Sequence, residues 1–144
     1  MISKMEARVK LLEGLTFVGV AKGRGIVIDA PSEHGGEGLG PSPMELVLIG
    51  TAACTAFDVA EILRKSGQRV ERFEVRATAE RAPKPPRVFT RVHLEYVVEG
   101  EVDEKVLEDA IRLSMQRYCS ASIMIRRSGA EVTTSYHIIR TSKS

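Results

Sequence analysis

Alternating apolar and polar side chains predict six strands along the chain. Three short strands are expected near the N-terminus, at residues 5–12, 16–21 and 25–30. Two longer segments, residues 70–81 and 87–99, alternate and are separated by the turn "APKPP", so we expect them to form a hairpin. A last alternating strand covers residues 131–140.

Apolar residues at helical spacing predict two main helices. The first covers residues 43–66, with Ser42 as its N-cap and Gly67 at its C-terminal end. The second begins after Asp103 and runs to Tyr118, and a short helix follows it over residues 120–127. The segment 31–43, before the first long helix, is rich in glycine, proline and serine and is predicted to be a loop.

The order of these elements indicates the fold class. Strands follow strands before each helix, which predicts an α+β fold with a mainly antiparallel sheet. A length of 144 residues fits a single domain over residues 1–144. A hydrophobic fraction of 43% and a charged fraction of 28% are typical of a soluble globular protein.

Charge and hydropathy argue against two classes of partner. The net charge is only +2, and basic residues alternate with acidic ones, so no nucleic-acid partner is expected. No uninterrupted apolar run reaches the roughly 18 residues that a membrane span needs. The N-terminal segment also lacks the apolar core of an export signal, so the sequence predicts a cytoplasmic protein with no membrane partner.

Metal and nucleotide motifs are not recognisable in the sequence. The glycines of "GGEGLG" do not follow a strand at the spacing of a dinucleotide-binding loop. His34, His93 and His137 are far apart and lack the spacing of metal ligands. Only His34, which lies in the glycine-rich loop, is a candidate for a functional role. We therefore expect neither a metal nor an organic cofactor.

The two cysteines are the main candidates for chemistry. Cys54 lies roughly 17 Å from the start of its helix, too far for the helix dipole to stabilise a thiolate. Asp58, one turn later, disfavours the thiolate, so a reactive Cys54 needs a cation, most simply an arginine. Cys119 follows the second helix and meets Cys54 if the two helices pack together. The residues alone leave two alternatives, a pair of inert buried thiols and a redox pair.

An acidic residue at the start of the first helix also has two possible roles. Glu45 precedes Cys54 by nine residues, which places the two side chains on opposite sides of the helix. Glu45 is therefore not expected to touch the thiol. Its carboxylate either holds the activating arginine or faces its own helix terminus.

The segments "GPSPMELVLIGTAACTAFDV" and "YCSASIMI" together resemble the OsmC/Ohr family of thiol-dependent hydroperoxide reductases, and in particular its OsmC-like branch. This resemblance implies an intertwined homodimer in which a sheet wraps around a long central helix. It also implies that Cys54 attacks an organic hydroperoxide and that Cys119 resolves the sulfenic acid as a disulfide. A dithiol reductant then resets the enzyme without a cofactor.

The same resemblance implies an arginine and a glutamate that activate the first cysteine. In this family the glutamate lies ten residues before that cysteine, a position that Met44 occupies here, with Glu45 next to it. Arg24, which precedes the loop, is the candidate arginine. Arg117 and Arg91 are the further candidates.

The predicted function is therefore reduction of organic hydroperoxides through Cys54 and Cys119. Phe57 and Val47, which lie on the same helix as Cys54, are predicted to favour a lipophilic substrate. The alternative is a non-catalytic dimer that binds a small apolar ligand or senses redox state. In that alternative the cysteines are structural.

Overall fold

A computed structural model of the protein describes residues 3–141. Its elements, in chain order, are β1 (Arg8–Glu13), β2 (Thr16–Ala21), β3 (Arg24–Ile28), α1 (Pro43–Lys65), β4 (Arg69–Arg81), β5 (Phe89–Glu101), α2 (Glu104–Leu113), α3 (Ser120–Arg127) and β6 (Glu131–Ile139). A 3-10 turn, Ser32–His34, lies in the predicted loop, and a π-helical turn, Ser114–Tyr118, follows α2. The predicted α+β class is confirmed.

The strands form two sheets of three strands each, where the sequence suggested one. The first sheet has the order β1-β2-β3 and is antiparallel throughout. In the second, of order β4-β5-β6, the predicted hairpin of β4 and β5 is present, but β6 runs parallel to β5. A parallel pair needs a long crossover connection, and α2, the π-helical turn and α3 provide it here.

The chain is organised as two compact units whose boundary lies within α1: an N-terminal unit up to Val47 and a C-terminal unit from Leu48 onwards. The sheet β1-β2-β3 belongs to the N-terminal unit, and the sheet β4-β5-β6 belongs to the C-terminal unit. The assignment of the whole chain to one domain stays a prediction.

Asp29 organises the loop of the N-terminal unit. Its Oδ2 accepts hydrogen bonds from Thr16 Oγ1 at 2.9 Å and from the Leu39 amide at 3.2 Å, and its Oδ1 accepts one from the Ala30 amide at 2.8 Å. Burial by itself raises the pKa of Asp29, but hydrogen bonds from Leu39, Thr16 and Ala30 outweigh it and hold that pKa below its ordinary value. A buried, ionised carboxylate therefore ties β2 to both ends of the loop.

The core of the C-terminal unit is built on one face of β5. Four alternate side chains of this strand are fully buried: Val92, Leu94, Tyr96 and Val98. Helix α1 buries a single stripe at intervals of four residues, which consists of Thr51, Thr55, Val59 and Leu63. The spacing places these four residues on one face of the helix, and Thr55 joins it to β5 through a 2.7 Å hydrogen bond with the Tyr96 hydroxyl.

The predicted helix caps are present. Ser42 and Glu45 bond reciprocally at the start of α1, and Gly67 adopts a φ of +74° after its end, where the Gln68 amide bonds the Leu63 carbonyl at 3.0 Å. Asp103 caps α2 by accepting hydrogen bonds from the amides of the first helical turn. The capping residues therefore define the observed bounds of these helices.

Helix α1 is long and apolar enough to span a membrane by length and composition alone, with a mean hydropathy of 1.8 over its best 18-residue window. The sequence expectation, which counted only uninterrupted apolar runs, did not detect this property. Long core helices of soluble proteins have the same composition, and α1 buries one stripe in the C-terminal unit. The cytoplasmic location stays a prediction.

Candidate functional site

The two thiols that the sequence selected lie next to each other. Cys54 is half-buried in α1, whereas Cys119 is fully buried between the π-helical turn and α3, and neither forms a disulfide. Burial raises the pKa of the Cys119 thiol, hydrogen bonds from Ser122 lower it, and the neighbouring Cys54 thiol raises it further, with a net upward shift. Cys119 is thus kept as a protonated thiol whose pKa is raised in part by the neighbouring Cys54 thiol.

The backbone around Cys119 is fixed by its immediate neighbours. Its amide donates a 2.8 Å hydrogen bond to the Ser114 carbonyl, which closes the π-helical turn. Its Sγ accepts a hydrogen bond from the Ser122 amide at 3.4 Å and so caps α3, while the Ser122 hydroxyl donates to the Cys119 carbonyl at 3.2 Å. π-Helical turns are frequent at functional sites, and this one sets the direction of the Cys119 side chain.

A chain of four side chains links the segments that carry the two cysteines. Ser114 Oγ donates to Asp58 Oδ2 at 2.9 Å, and Thr55 Oγ1 lies 2.7 Å from both Ser114 Oγ and the Tyr96 hydroxyl. Since each hydroxyl has one hydrogen, the Ser114 donation requires Thr55 to donate to Ser114 and Tyr96 to donate to Thr55. All three hydroxyl groups therefore point their hydrogens towards the Asp58 carboxylate.

Tyr96 is the buried end of this chain. Burial raises its pKa to about 12, its hydrogen bond with Thr55 lowers the pKa, and the nearby charges of Cys119 and Asp58 raise it. The phenol is therefore neutral at physiological pH and acts as a hydrogen-bond donor.

Glu45 caps its own helix. Its Oε1 accepts a hydrogen bond from the Ser42 amide at 2.9 Å, and its own amide donates to Ser42 Oγ at 3.3 Å. The hydrogen bond from the Ser42 amide lowers the pKa of Glu45, and the Ser42 hydroxyl adds to this effect. Of the two roles that the sequence left open, the structure contains the one at the helix terminus.

Arg24 is the first residue of β3, opposite Ala21, and its side chain is exposed. Within residues 3–141, no ion pair joins Arg24 to Glu45 or to another acid. Its role in thiolate activation stays a prediction.

The two further candidate arginines differ in their surroundings. Arg91 lies on β5 and pairs with Glu131 at 3.0 Å and with Glu80 at 3.6 Å; the interaction with Glu131 raises the pKa of Arg91. Arg117 lies in the π-helical turn, two residues before Cys119, and its guanidinium carbon is 5.6 Å from the centroid of the Tyr118 ring. Arg117 is therefore the nearer of the two to the thiols along the chain.

A cavity of about 660 Å³ lies further along α1 from Cys54. It is lined by Phe57, Asp58, Glu61, Ile62, Lys65 and Tyr118. Phe57, predicted to contact substrate, is thus at a cavity whose wall includes the residue before Cys119. Val47, the other predicted substrate contact, does not line this cavity.

The histidines do not form a site in the described part of the chain. His34 ends the exposed 3-10 turn, and His93 is held on β5 by Thr133 at 2.7 Å and Ser135 at 2.8 Å. Across residues 3–141, no group of three metal-binding side chains comes together.

The sequence did not identify Ser114, Thr55 and Tyr96 as site residues. Each occupies a position on the apolar face of its element, where a polar group needs a partner. That pattern was a usable signal for Thr55 and Ser114, because both are polar residues at core spacing in their helical segments.

Comparisons with known proteins identify the family of this chain. The family model described as OsmC-like protein matches residues 35–135. Protein YhfA of Escherichia coli is 40% identical over 137 residues, which cover 94% of this chain and 98% of YhfA. The chain therefore belongs to the OsmC-like family.

Solved structures give the same fold. A hypothetical protein from Aquifex aeolicus superposes with a TM-score of 0.86 at 29% identity, covering 98% of this chain and 100% of that one. An organic hydroperoxide resistance protein, OsmC, from Legionella pneumophila superposes with a TM-score of 0.69 at 20% identity, covering 94% of this chain and 98% of that one. At 20% identity this second likeness concerns the fold.

Proposed function

We propose that this protein is a thiol-dependent peroxidase that reduces organic hydroperoxides through Cys54 and Cys119. The electrostatic interaction between the half-buried Cys54 thiol and the buried Cys119 thiol carries the proposal. Two free thiols that lie close enough to perturb each other's ionisation are suited to reversible disulfide formation. Membership of the OsmC-like family, with relatives named as organic hydroperoxide resistance proteins, supports the substrate class.

The proposed cycle has three balanced steps. The Cys54 thiol first loses its proton to solvent, and the thiolate attacks the terminal peroxide oxygen, which breaks the O–O bond and leaves a sulfenic acid on Cys54. The alkoxide that leaves takes up a proton from solvent and is released as the alcohol. The Cys119 sulfur then attacks the Cys54 sulfur; the sulfenic hydroxyl and the Cys119 proton leave as water and a disulfide remains. A dithiol reductant returns both thiols and leaves as its own disulfide.

The difference in exposure between the two cysteines supports these roles. Cys54 is the more accessible sulfur, whereas Cys119 has no exposed surface. The sulfur that meets a peroxide has to be reachable, and the resolving sulfur only has to reach its partner. The raised pKa of Cys119 keeps this thiol protonated until Cys54 has been oxidised.

The neighbouring cavity supports a substrate with an apolar body. Phe57, Ile62 and Tyr118 give it apolar walls, and Asp58, Glu61 and Lys65 give it a polar rim. An alkyl or aryl hydroperoxide fits such a lining better than hydrogen peroxide. We expect the substrate to bind with its apolar part along this side of α1.

A homodimer is part of the proposal because large apolar side chains remain uncovered in the single chain. Phe57 is 76% exposed and Ile49 is 52% exposed on α1, and Leu11 is 58% exposed on β1. Exposed apolar surface of this kind marks an interaction site. A second copy of the chain is the partner we propose.

Thiolate activation by Arg24 completes the proposal. Arg24 is an exposed cation without an ion pair among residues 3–141. Its guanidinium is therefore available to interact with the Cys54 thiolate or with the bound substrate. Glu45, which the family resemblance also predicts as a site residue, is proposed to hold the start of α1 through Ser42.

The proposed role of Arg24 is tested by substitution. Arg24→Ala is expected to slow the reaction of Cys54 with hydroperoxide at least about tenfold. Arg8→Ala is the matched control, because Arg8 is an exposed arginine on β1.

The decisive experiment measures consumption of cumene hydroperoxide and hydrogen peroxide by the reduced protein, with dithiothreitol or dihydrolipoamide as the reductant. Wild type is expected to turn over cumene hydroperoxide faster, Cys54→Ser to lose turnover, and Cys119→Ser to accumulate a sulfenic acid that a dimedone adduct reveals by mass. Turnover in Cys54→Ser equal to that of wild type would contradict the proposal.

A second candidate function is binding of a small apolar ligand without turnover. The cavity beside Phe57 favours it, because its volume of about 660 Å³ is that of a small-molecule site. This candidate predicts that both serine variants behave as wild type in the peroxide assay. It also predicts that an apolar fluorescent probe binds the wild-type protein and binds the Phe57→Ala variant more weakly.

A further inference from the structure

Ser114 touches both segments that carry the thiols. Its hydroxyl donates to Asp58, which lies one helical turn after Cys54, and accepts from Thr55, which follows Cys54 directly. Its carbonyl accepts the Cys119 amide at 2.8 Å. A single buried residue therefore holds α1 and the turn before Cys119 with its side chain and its backbone.

Disulfide formation depends on how precisely the two segments are held relative to each other. The two Cβ atoms have to lie roughly 3.5–4.5 Å apart, and a small displacement of either segment strains the bond. Cys54 is carried by α1 and Cys119 by a turn that is far away in sequence, so their relative position depends on contacts between these two segments. Ser114 makes two of these contacts through its hydroxyl group.

The hydrogen bond to Asp58 sets the direction of the whole hydroxyl chain. A carboxylate only accepts, so Ser114 donates to it, and Thr55 and Tyr96 then have one possible orientation each. Without that acceptor, the Ser114 and Thr55 hydroxyl groups lose their fixed orientation in the core. The link between the two segments then loosens.

We propose that Ser114, oriented by Asp58, is a positioning residue that holds Cys54 and Cys119 at disulfide-forming distance. The inference rests on the proposed redox function of the two cysteines and goes beyond it by naming the residues that make their pairing favourable. The step concerned is loss of two hydrogen atoms from the two thiols to an oxidised dithiol, with formation of the Cys54–Cys119 bond. Neither Ser114 nor Asp58 exchanges electrons in it.

The test is the equilibrium constant for this exchange against defined mixtures of reduced and oxidised dithiothreitol, read as the fraction of alkylated protein by mass. Ser114→Ala and Asp58→Ala are expected to lower the constant about tenfold, which is a shift of about 30 mV towards easier reduction. Asp58→Asn is expected to match wild type, because its amide oxygen still accepts from Ser114.

Ser135→Ala is the control, since it removes the hydroxyl of a half-buried serine that bonds to His93 rather than to the thiol-bearing segments. Equal constants for wild type and folded Ser114→Ala would overturn the inference, as would an equal shift in Ser135→Ala. If Ser114→Ala does not fold, the pair Asp58→Ala and Asp58→Asn decides, and equal values for these two overturn the inference. A wild type that forms no disulfide at all would overturn the proposed function as well.

Discussion

Ser42 and Glu45 form two reciprocal hydrogen bonds at the start of α1. The Ser42 amide donates to Glu45 Oε1 at 2.9 Å, and the Glu45 amide donates to Ser42 Oγ at 3.3 Å. Ser42→Ala removes the hydroxyl that accepts from the Glu45 amide. We expect its free energy of unfolding to fall by about 1 kcal/mol, measured by urea denaturation. Ser42→Asp, which keeps a capping oxygen, is the control and is expected to stay close to wild type.

The same contact gives stability a dependence on acid. Because the Ser42 amide lowers the pKa of folded Glu45, this contribution is fully present above the ordinary carboxyl value of about 4.3 and is lost as the pH falls through the lowered value. Glu45→Gln is expected to flatten the acid limb of the stability profile. A wild-type profile with an equally flat acid limb would contradict this prediction.

Tyr96 is expected to make the protein sensitive to alkali. Its folded pKa of about 12 lies above the unfolded value of about 10, so the associated stability is present below the unfolded value and is lost as the pH rises between the two. The predicted loss is on the order of 3 kcal/mol. Urea denaturation at a series of alkaline pH values measures it.

Tyr96→Phe is expected to remove this alkaline component and to cost about 1 kcal/mol at neutral pH, because Thr55 loses a donor. Tyr118→Phe is the matched control, since Tyr118 is 51% exposed. An unchanged alkaline limb in Tyr96→Phe, or the same change in Tyr118→Phe, would contradict the assignment.

Leu63 anchors the buried stripe of α1 and has no exposed surface. Leu63→Ala is expected to lower the free energy of unfolding by about 2–5 kcal/mol, because it removes buried methyl groups and leaves a cavity. Leu113→Ala makes the same chemical change at a side chain that is 40% exposed, and should cost much less. Equal losses in the two variants would mean that the stripe is not a core element.

Gly36 and Gly40 allow the loop before α1 to pass close to the backbone. A Cβ at Gly36 would lie 1.9 Å from the Ala30 carbonyl oxygen, and one at Gly40 would lie 2.3 Å from the Val27 carbonyl oxygen. Either alanine substitution is expected to displace the loop and raise its rate of proteolysis. Gly50→Ala is the control, since no described atom lies within 4 Å of the added Cβ; equally rapid cleavage of that variant would refute this explanation.

The sequence predicted the elements well because their patterns are local. Strand β2 and helix α3 have the predicted bounds, and α1 and the other strands differ by at most three residues at their ends. Helix α2 ends at Leu113, where the prediction continued it to Tyr118, because the last five residues form the π-helical turn. The parallel pairing of β5 with β6 was not predictable in the same way. Alternation tells which side chains share a face but not which strand lies alongside, so the two sheets appear only in the folded chain.

The candidate site was predictable to the same extent. Cys54 and Cys119 were selected by residue type and by their surrounding segments, and the structure brings them together. Ser114 and Asp58 are separated by 56 positions, and no pattern of residues joins them, so their hydrogen bond could not be predicted from the sequence. Long-range polar contacts of this kind depend on how helices pack, which side-chain periodicity does not specify.

The parallel pairing of β5 with β6 also bears on the order of folding. The segment between these strands contains Ser114 and Cys119, and its ends are fixed only when β6 has docked beside β5. Pairing of strands far apart in sequence is slow, whereas the β4–β5 hairpin is local. In a newly synthesised chain, the two thiols are therefore expected to stay apart until late in folding. A Cys54–Cys119 disulfide is expected to form only after β6 has docked beside β5.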